Sequence, residues 1–235
     1  MKMALYHRFI FQFAIAVFSL TVFAQSGIVT PDRVYGLDPL LFNGRIYAFF
    51  PPEGTGGAQF LSERFDTQGS VTLRGVTYTD LNLNYDIYNQ QVVLKYKNTL
   101  GSVSLIEISA AWLESFDLGG RHFVLMAGND TTNNIFQVLG NGPLKILFSR
   151  RKELRLDTRT SYRNHIFVDT PREMFVNKAE SRVKFSNNRG FCAVFGTAQQ
   201  ELIRKYMRKH KIKVKKASDS LMTDLINYCN SLNGL

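Results

Sequence analysis

Leu81, Leu83, Tyr85 and Ile87 alternate with Asn82, Asn84, Asp86 and Tyr88. This period of two predicts a strand with an apolar row on one face and a mostly polar row on the other. Asn89-Gln90 supplies a turn, after which Val92, Leu94 and Tyr96 restart the apolar row against Lys95 and Lys97. The pair reads as a β-hairpin. Upstream, Gly69 to Tyr78 repeats the manner, Val71 and Leu73 facing away from Thr72 and Arg74, and Gly75 predicts a bulge or a tight bend.

The pattern continues in shorter runs: Val103 to Ile108, Trp112 to Leu118, Arg121 to Met126, Ile135 to Leu139 and Leu144 to Phe148. Turn formers separate them, among them Gly119-Gly120, Gly128-Asn129-Asp130 and Asn141-Gly142-Pro143. Further strands are expected at Asn164 to Val168, Met174 to Val176, Arg182 to Phe185 and Gly190 to Phe195. A spacing of roughly 8 to 12 residues is that of an antiparallel sandwich, meander or barrel. No helical period separates these strands, which argues against a doubly wound α/β fold.

The pattern changes at Thr197. This residue reads as an N-cap, and Leu202, Ile203, Tyr206 and Met207 fall on one face of a helix whose other face carries Arg204, Lys205 and Arg208. Lys211 to Lys216 alternates Ile212 and Val214 with lysines, as a connector or short strand would. A second helix, capped by Ser218 or Asp219, sets Leu221, Leu225, Cys229 and Leu232 on one side. The expected fold is therefore mainly β, an antiparallel meander forming a sandwich or partly open barrel, closed by a C-terminal pair of α-helices. Residues 25–196 form the β domain, and residues 197–235 a basic helical element packed on it.

The first 24 residues read as an export signal. Lys2, His7 and Arg8 precede an apolar run from Phe9 to Ala24, and Val22 and Ala24 hold the small-residue positions of a cleavage site. The run is shorter than the roughly 20 residues that cross a bilayer. The first cysteine is Cys192, so no cysteine stands at the cleavage point for lipid attachment. The expectation is a periplasmic, outer-envelope or secreted protein without a transmembrane helix once the signal is removed.

Export changes the meaning of the charge. The sequence pI is about 9.7, a value that suggests nucleic acid, but an exported protein seldom meets any. The mature chain would hold 27 basic against 19 acidic residues, and the window from Glu201 to Lys216 carries eight basic residues and one acid. The high pI is thus local. Arg204, Lys205, Arg208, Lys209, Lys211, Lys213, Lys215 and Lys216 are the candidates for contact with an acidic partner, either an envelope protein or a phosphate-bearing envelope surface. A solvated helix face is the plainer reading of such a run.

Motifs for catalysis are weak. Phe49 to Gly57 is glycine-rich, but no GxxxxGK[ST] spacing follows, so it reads as a flexible surface loop. Ser149-Arg150-Arg151-Lys152 matches SxxK without the partner elements of penicillin-recognising enzymes. His165 with Asp157 or Asp169 makes no triad on spacing, and the four histidines have no metal-ligand pattern. Trp112 and the many Phe and Tyr residues read as core before they read as a sugar-stacking surface. Asn129-Asp130-Thr131 fits a glycosylation acceptor but reads as a turn. No catalytic, cofactor-binding or metal-ligating residue is assigned. Cys192 and Cys229 either pair in an oxidising compartment or are small buried hydrophobes.

The run from Gly69 through Tyr78 and on to Asn84-Tyr85-Asp86-Ile87-Tyr88-Asn89-Gln90-Gln91 resembles a pattern found in exported proteins of Bacteroidota. In these, a hairpin centred on a Tyr-Asp pair is followed much later by a lysine-rich C-terminal element like Arg204 to Asn230. The resemblance implies an envelope setting and supplies no catalytic residues. The expected function is that of an exported, non-enzymatic envelope structural or interaction protein. The alternatives are a barrel-type carrier of a small apolar ligand, an enzyme of unrecognised type, or a transmembrane barrel.

Overall fold

The computed structural model describes residues 28–29, 39–42, 44–63, 65, 67–97, 101–127, 133–158, 164–178 and 181–232. The export segment and the Asn129-Asp130-Thr131 turn lie outside them.

The strands are β1 (Ile28–Val29), β2 (Arg45–Ile46), β3 (Gln68–Leu73), β4 (Val76–Asp86), β5 (Gln91–Lys97), β6 (Val103–Glu107) and β7 (Leu113–Leu118). They continue with β8 (Arg121–Ala127), β9 (Asn133–Leu139), β10 (Leu144–Ser149), β11 (Lys152–Asp157), β12 (Asn164–Asp169), β13 (Glu173–Lys178) and β14 (Ser181–Phe185). The helices are α1 (Pro39–Phe42), α2 (Asn188–Ala193), α3 (Thr197–Lys209) and α4 (Asp219–Leu232). The fold is mainly β, as the alternation predicts.

One antiparallel sheet runs in the order β14-β13-β10-β9-β8-β7-β3-β4-β5-β6-β2, and β1 adds to β4 in parallel. The meander is interrupted twice. The chain leaves β6 at one side and returns to lay β7 against β3, and it leaves β10 to form the separate β11–β12 hairpin before β13 rejoins β10. The sheet does not close into a barrel. It folds over on itself at β4, whose first part pairs with β3 and whose last part pairs with β5. The bend has a local cause: β4 has one more residue than β3 between paired positions, with Asp80 at φ 56°. The bulge falls here, whereas Gly75 joins Arg74, at φ 76° and 48°, in the two-residue turn between β3 and β4.

Folding over creates the first core. Leu83, Tyr85 and Leu94 from the β4–β5 flap meet Phe116, Leu118 and Phe123 from β7 and β8. Phe116 and Phe123 stack with centroids 4.6 Å apart, and Tyr85 lies 5.6 Å from each. A second core fills the space between β9, β10, β13, β14 and the helices, with Ile146, Phe148 and Val176 facing Phe191, Ile203, Leu225 and Ile226. The helical pair is thus packed on the sheet through a shared hydrophobic interior.

The helices differ from expectation in three respects. Gly190 to Phe195 is not a strand: α2 begins at Asn188, where the Asn187 side chain accepts from Gly190 N at 2.8 Å. The N-cap of α3 is Gly196, and Thr197 is its first residue. The buried faces are also rotated from the expected stripes. Leu202 and Leu221 are exposed, while Met222 and Ile226 join Leu225 and Cys229 inside. Ser218 does cap α4, its hydroxyl accepting from Leu221 N at 3.2 Å.

Helix α4 is fastened to the β9–β10 turn by side-chain amides. Asn230 accepts from Leu144 N and donates to Leu144 O, both at 2.9 Å, and Asn227 accepts from Asn141 N at 3.2 Å. The turn must come close for this. A Cβ on Gly142 would sit 2.4 Å from the Asn230 side chain. Tyr206 of α3 stacks on Tyr228 of α4 at 4.1 Å.

Candidate functional site: a basic groove in the helical cap

The helical period sorts the basic residues of α3. Arg204 and Arg208 are four apart and share one face, while Lys205 and Lys209 share another. Lys205 pairs with Glu201, 3.1 Å away and four residues earlier. Arg204 and Arg208 instead turn towards α2, where they line a groove of about 760 Å³ with Arg189, Lys211 and Lys213.

The end of α3 brings the lysines round. His210 is its C-cap, and Lys211 follows in the left-handed region at φ 53°. Ile212 N then donates to Met207 O at 2.8 Å and Lys211 N to Arg208 O at 3.2 Å. This is a Schellman motif, with buried Ile212 meeting buried Met207 in its usual apolar contact. The position of Lys211 is one that glycine ordinarily takes, because a side chain there is strained by about 1–2 kcal/mol. The strain accompanies a reversal that places Lys211 and Lys213 beside Arg208.

Asn188 holds the returning connector. Its amide donates to Ile212 O at 2.9 Å and its carbonyl accepts from Val214 N at 3.0 Å. Ile212 and Val214 point into the core and the intervening lysines point out, the alternation expected of Lys211 to Lys216, although the segment pairs with no strand. A second recess of about 510 Å³ shares Asn188, Arg189 and Lys213 and adds Lys215 and Lys216. The two recesses adjoin across these shared residues.

The floor is apolar. Cys192, Met207 and Ile212 lie beneath the cations, each no more than 3% exposed. Cys192 Sγ is 3.8 Å from Met207 Sδ. Burial pushes the Cys192 thiol up, with Arg204 acting against it. Burial also pushes the Cys229 thiol up to about 12, with Cys192 adding to the effect. Both cysteines are free and buried, so the structure holds no disulfide between them, and neither presents a thiolate nucleophile at neutral pH.

Of the eight expected partner-contact residues, Arg204, Arg208, Lys211, Lys213, Lys215 and Lys216 gather along this groove, and Lys205 and Lys209 do not. Arg189 joins them without having been singled out from the sequence. No acidic side chain occurs among the described lining residues.

Elsewhere, polar clusters are internally satisfied. Arg121, Arg150 and Arg172 converge on Asp219 at 3.6, 3.4 and 3.1 Å, and Gln137 links Asp219 to Arg150. Burial lowers the Arg150 pKa, and Asp219 opposes that shift. The cluster anchors the start of α4 to the sheet. A second network surrounds Asp86, which the alternation placed on a polar face but which is fully buried, as is Asn84. Segment 59–62 covers that face: Leu61 N donates to Tyr85 O, and Ile87 N to Gln59 O. Asp86 accepts from Tyr47 OH and from both nitrogens of Asn89, and Gln59 donates to Tyr47 OH at 2.7 Å. Burial, then Asp86, raises the Tyr47 pKa, so its hydroxyl stays protonated as a donor.

The remaining motifs have structural partners. Lys152 of the SxxK match donates to Ala58 O at 2.5 Å, and Ser149 is buried at the end of β10. The glycine-rich loop is tied to β12, with Gly56 N donating to His165 O at 2.8 Å and Phe167 N to Gly56 O at 3.0 Å. Trp112 lies under the Arg74 guanidinium at 4.2 Å. Among the described residues, no three His, Cys, Asp or Glu side chains gather as a metal site requires, and no helix is long and apolar enough to cross a membrane. Compared with known proteins, the chain matches no family model, no curated protein and no solved structure.

Proposed function

We propose that this protein is an exported, non-enzymatic component of the cell envelope that engages an acidic surface through the groove in its helical cap. The observation that carries this reading is the gathering of seven cations from α2, α3 and the connector, five around the larger recess and two more at the one beside it, with no acidic residue among the described lining of either. Such an arrangement sums into a local positive potential, whereas cations scattered over a surface and paired with carboxylates do not. The export segment and the resemblance to Bacteroidota envelope proteins supply the setting. The carrier alternative loses its premise, because the sheet is open rather than closed round a lumen.

Co-sedimentation of the mature protein with isolated envelope fragments tests the reading. Binding is expected to weaken by about tenfold or more as salt rises from 50 to about 300 mM, since the Debye length contracts from about 14 to about 6 Å. Binding that persists unchanged contradicts it.

A further inference from the structure

Resting on the acidic-surface reading, we infer that the groove is a seat for the phosphorylated headgroup of a lipid, with a terminal phosphomonoester as its preferred form. Three features lead from "acidic" to this chemistry. Arg189, Arg204 and Arg208 enter the groove from two helices, and guanidinium forks suit the oxygens of a phosphate better than an ammonium does. Lys211 and Lys213 stand at the same recess, so a group with two negative charges on one centre is matched by several cations where a single carboxylate would leave most of them unneutralised. The floor beneath them is apolar, made by Cys192, Met207 and Ile212. Those floor side chains are at most 3% exposed, so the groove takes the charged head alone, and the apolar body of a lipid stays in the bilayer beside it.

Lys211 gives a way to probe the inference. A lysine occupies a left-handed position, φ 53°, at the helix end where glycine relieves strain. Its side chain lines the groove. Glycine here would relieve the strain and remove a groove cation together, which makes the position a test of the site.

The test is flotation of the full mature chain with phosphatidylcholine vesicles containing phosphatidate or phosphatidylglycerol at matched surface charge, with inorganic phosphate and a short-chain soluble phosphatidate as competitors. Phosphatidate vesicles are expected to bind at least about fivefold more tightly, the equivalent of one added cation contact at a membrane surface. The soluble phosphatidate is expected to compete, and inorganic phosphate to do so only at far higher concentration. Equal binding to both vesicle types, or competition by inorganic phosphate as strong as by soluble phosphatidate, overturns the headgroup inference. Salt-sensitive binding to envelope fragments without binding to either vesicle also overturns it, while leaving the acidic-surface reading intact. Lys211→Gly separates function from folding. It is expected to raise the thermal midpoint by about 2–4 °C while weakening phosphatidate binding about threefold or more. A variant that binds phosphatidate as the parent does removes Lys211 from the site and contradicts the assignment.

Discussion

Asp86→Ala is expected to lower the stability of the folded chain by about 3–5 kcal/mol, the largest single-residue effect in the β domain. The carboxylate accepts from Tyr47 OH, from Asn89 N at 2.9 Å and from Asn89 Nδ2 at 2.7 Å, at a site with no solvent exposure. Alanine leaves the buried Tyr47 hydroxyl without its acceptor, at about 1–3 kcal/mol, and two nitrogens of half-buried Asn89, at about 1 kcal/mol each. Tyr47→Phe leaves the two Asn89 donors to Asp86 in place but also deprives the buried Gln59 amide of its acceptor, so a loss of about 1–3 kcal/mol is expected. Equilibrium urea unfolding of the two single variants and the double variant checks this. The double variant is expected to lose clearly less than the sum, because Tyr47 and Asp86 share one bond. A loss under about 1 kcal/mol for Asp86→Ala contradicts the network.

Phe191→Ala is the matching test of the helical cap. Phe191 is wholly buried on α2, 5.1 Å from the Phe185 ring and 5.3 Å from the Phe195 ring. Truncation removes the contact between the short helix and β14 and opens a cavity, at a cost of about 3–5 kcal/mol. A second consequence is local. Phe191 precedes Cys192 on the groove floor, and loosening α2 is expected to expose a thiol that reacts slowly in the parent. Measured with a thiol reagent under native conditions, the rate at Cys192 is expected to rise by about tenfold or more, in step with the population of the opened cap. An unchanged rate together with a small stability loss contradicts the packing described for α2.

Both of these sites show where sequence patterning stops being informative. Alternation along 81–88 marked a strand correctly, but it assumed water on the face carrying Asn84 and Asp86. That face is covered by segment 59–62, from outside the hairpin, and polar residues buried among hydrogen-bonding partners look in sequence like polar residues exposed to water. Gly190 to Phe195 has the look of a strand in sequence because it is short, apolar and aromatic. Its six residues span fewer than two turns, too few to display a helical period. Asn187 three residues before Gly190 was the available signal, an N-cap preceding an apolar run.

The basic segment itself was legible as a run of charge, and its division into two helix faces follows from spacing alone. The groove was not legible, because it needs Asn188 and Arg189 from a helix start whose following residues, Gly190 to Phe195, look like a strand, and a reversal after His210 made through a lysine rather than a glycine. A glycine at 211 would have advertised the turn. The spacing of Cys192 and Cys229 in sequence allows either a bridge or two buried hydrophobes. Both are free and buried, Cys192 in the groove floor beneath the arginines and Cys229 in the interior on α4.

The most direct measurement compares two matched pairs of substitutions on one helical cap: Arg208→Gln with Lys213→Gln, which line the groove, and Lys205→Gln with Lys209→Gln, which do not. Each pair removes two positive charges, so a diffuse electrostatic attraction treats them alike. Titrating each against envelope fragments at fixed low salt, the groove pair is expected to weaken binding by about 20-fold and the outer pair by no more than about threefold. Equal losses from the two pairs would show that net charge alone governs binding, and the groove would then not be a site.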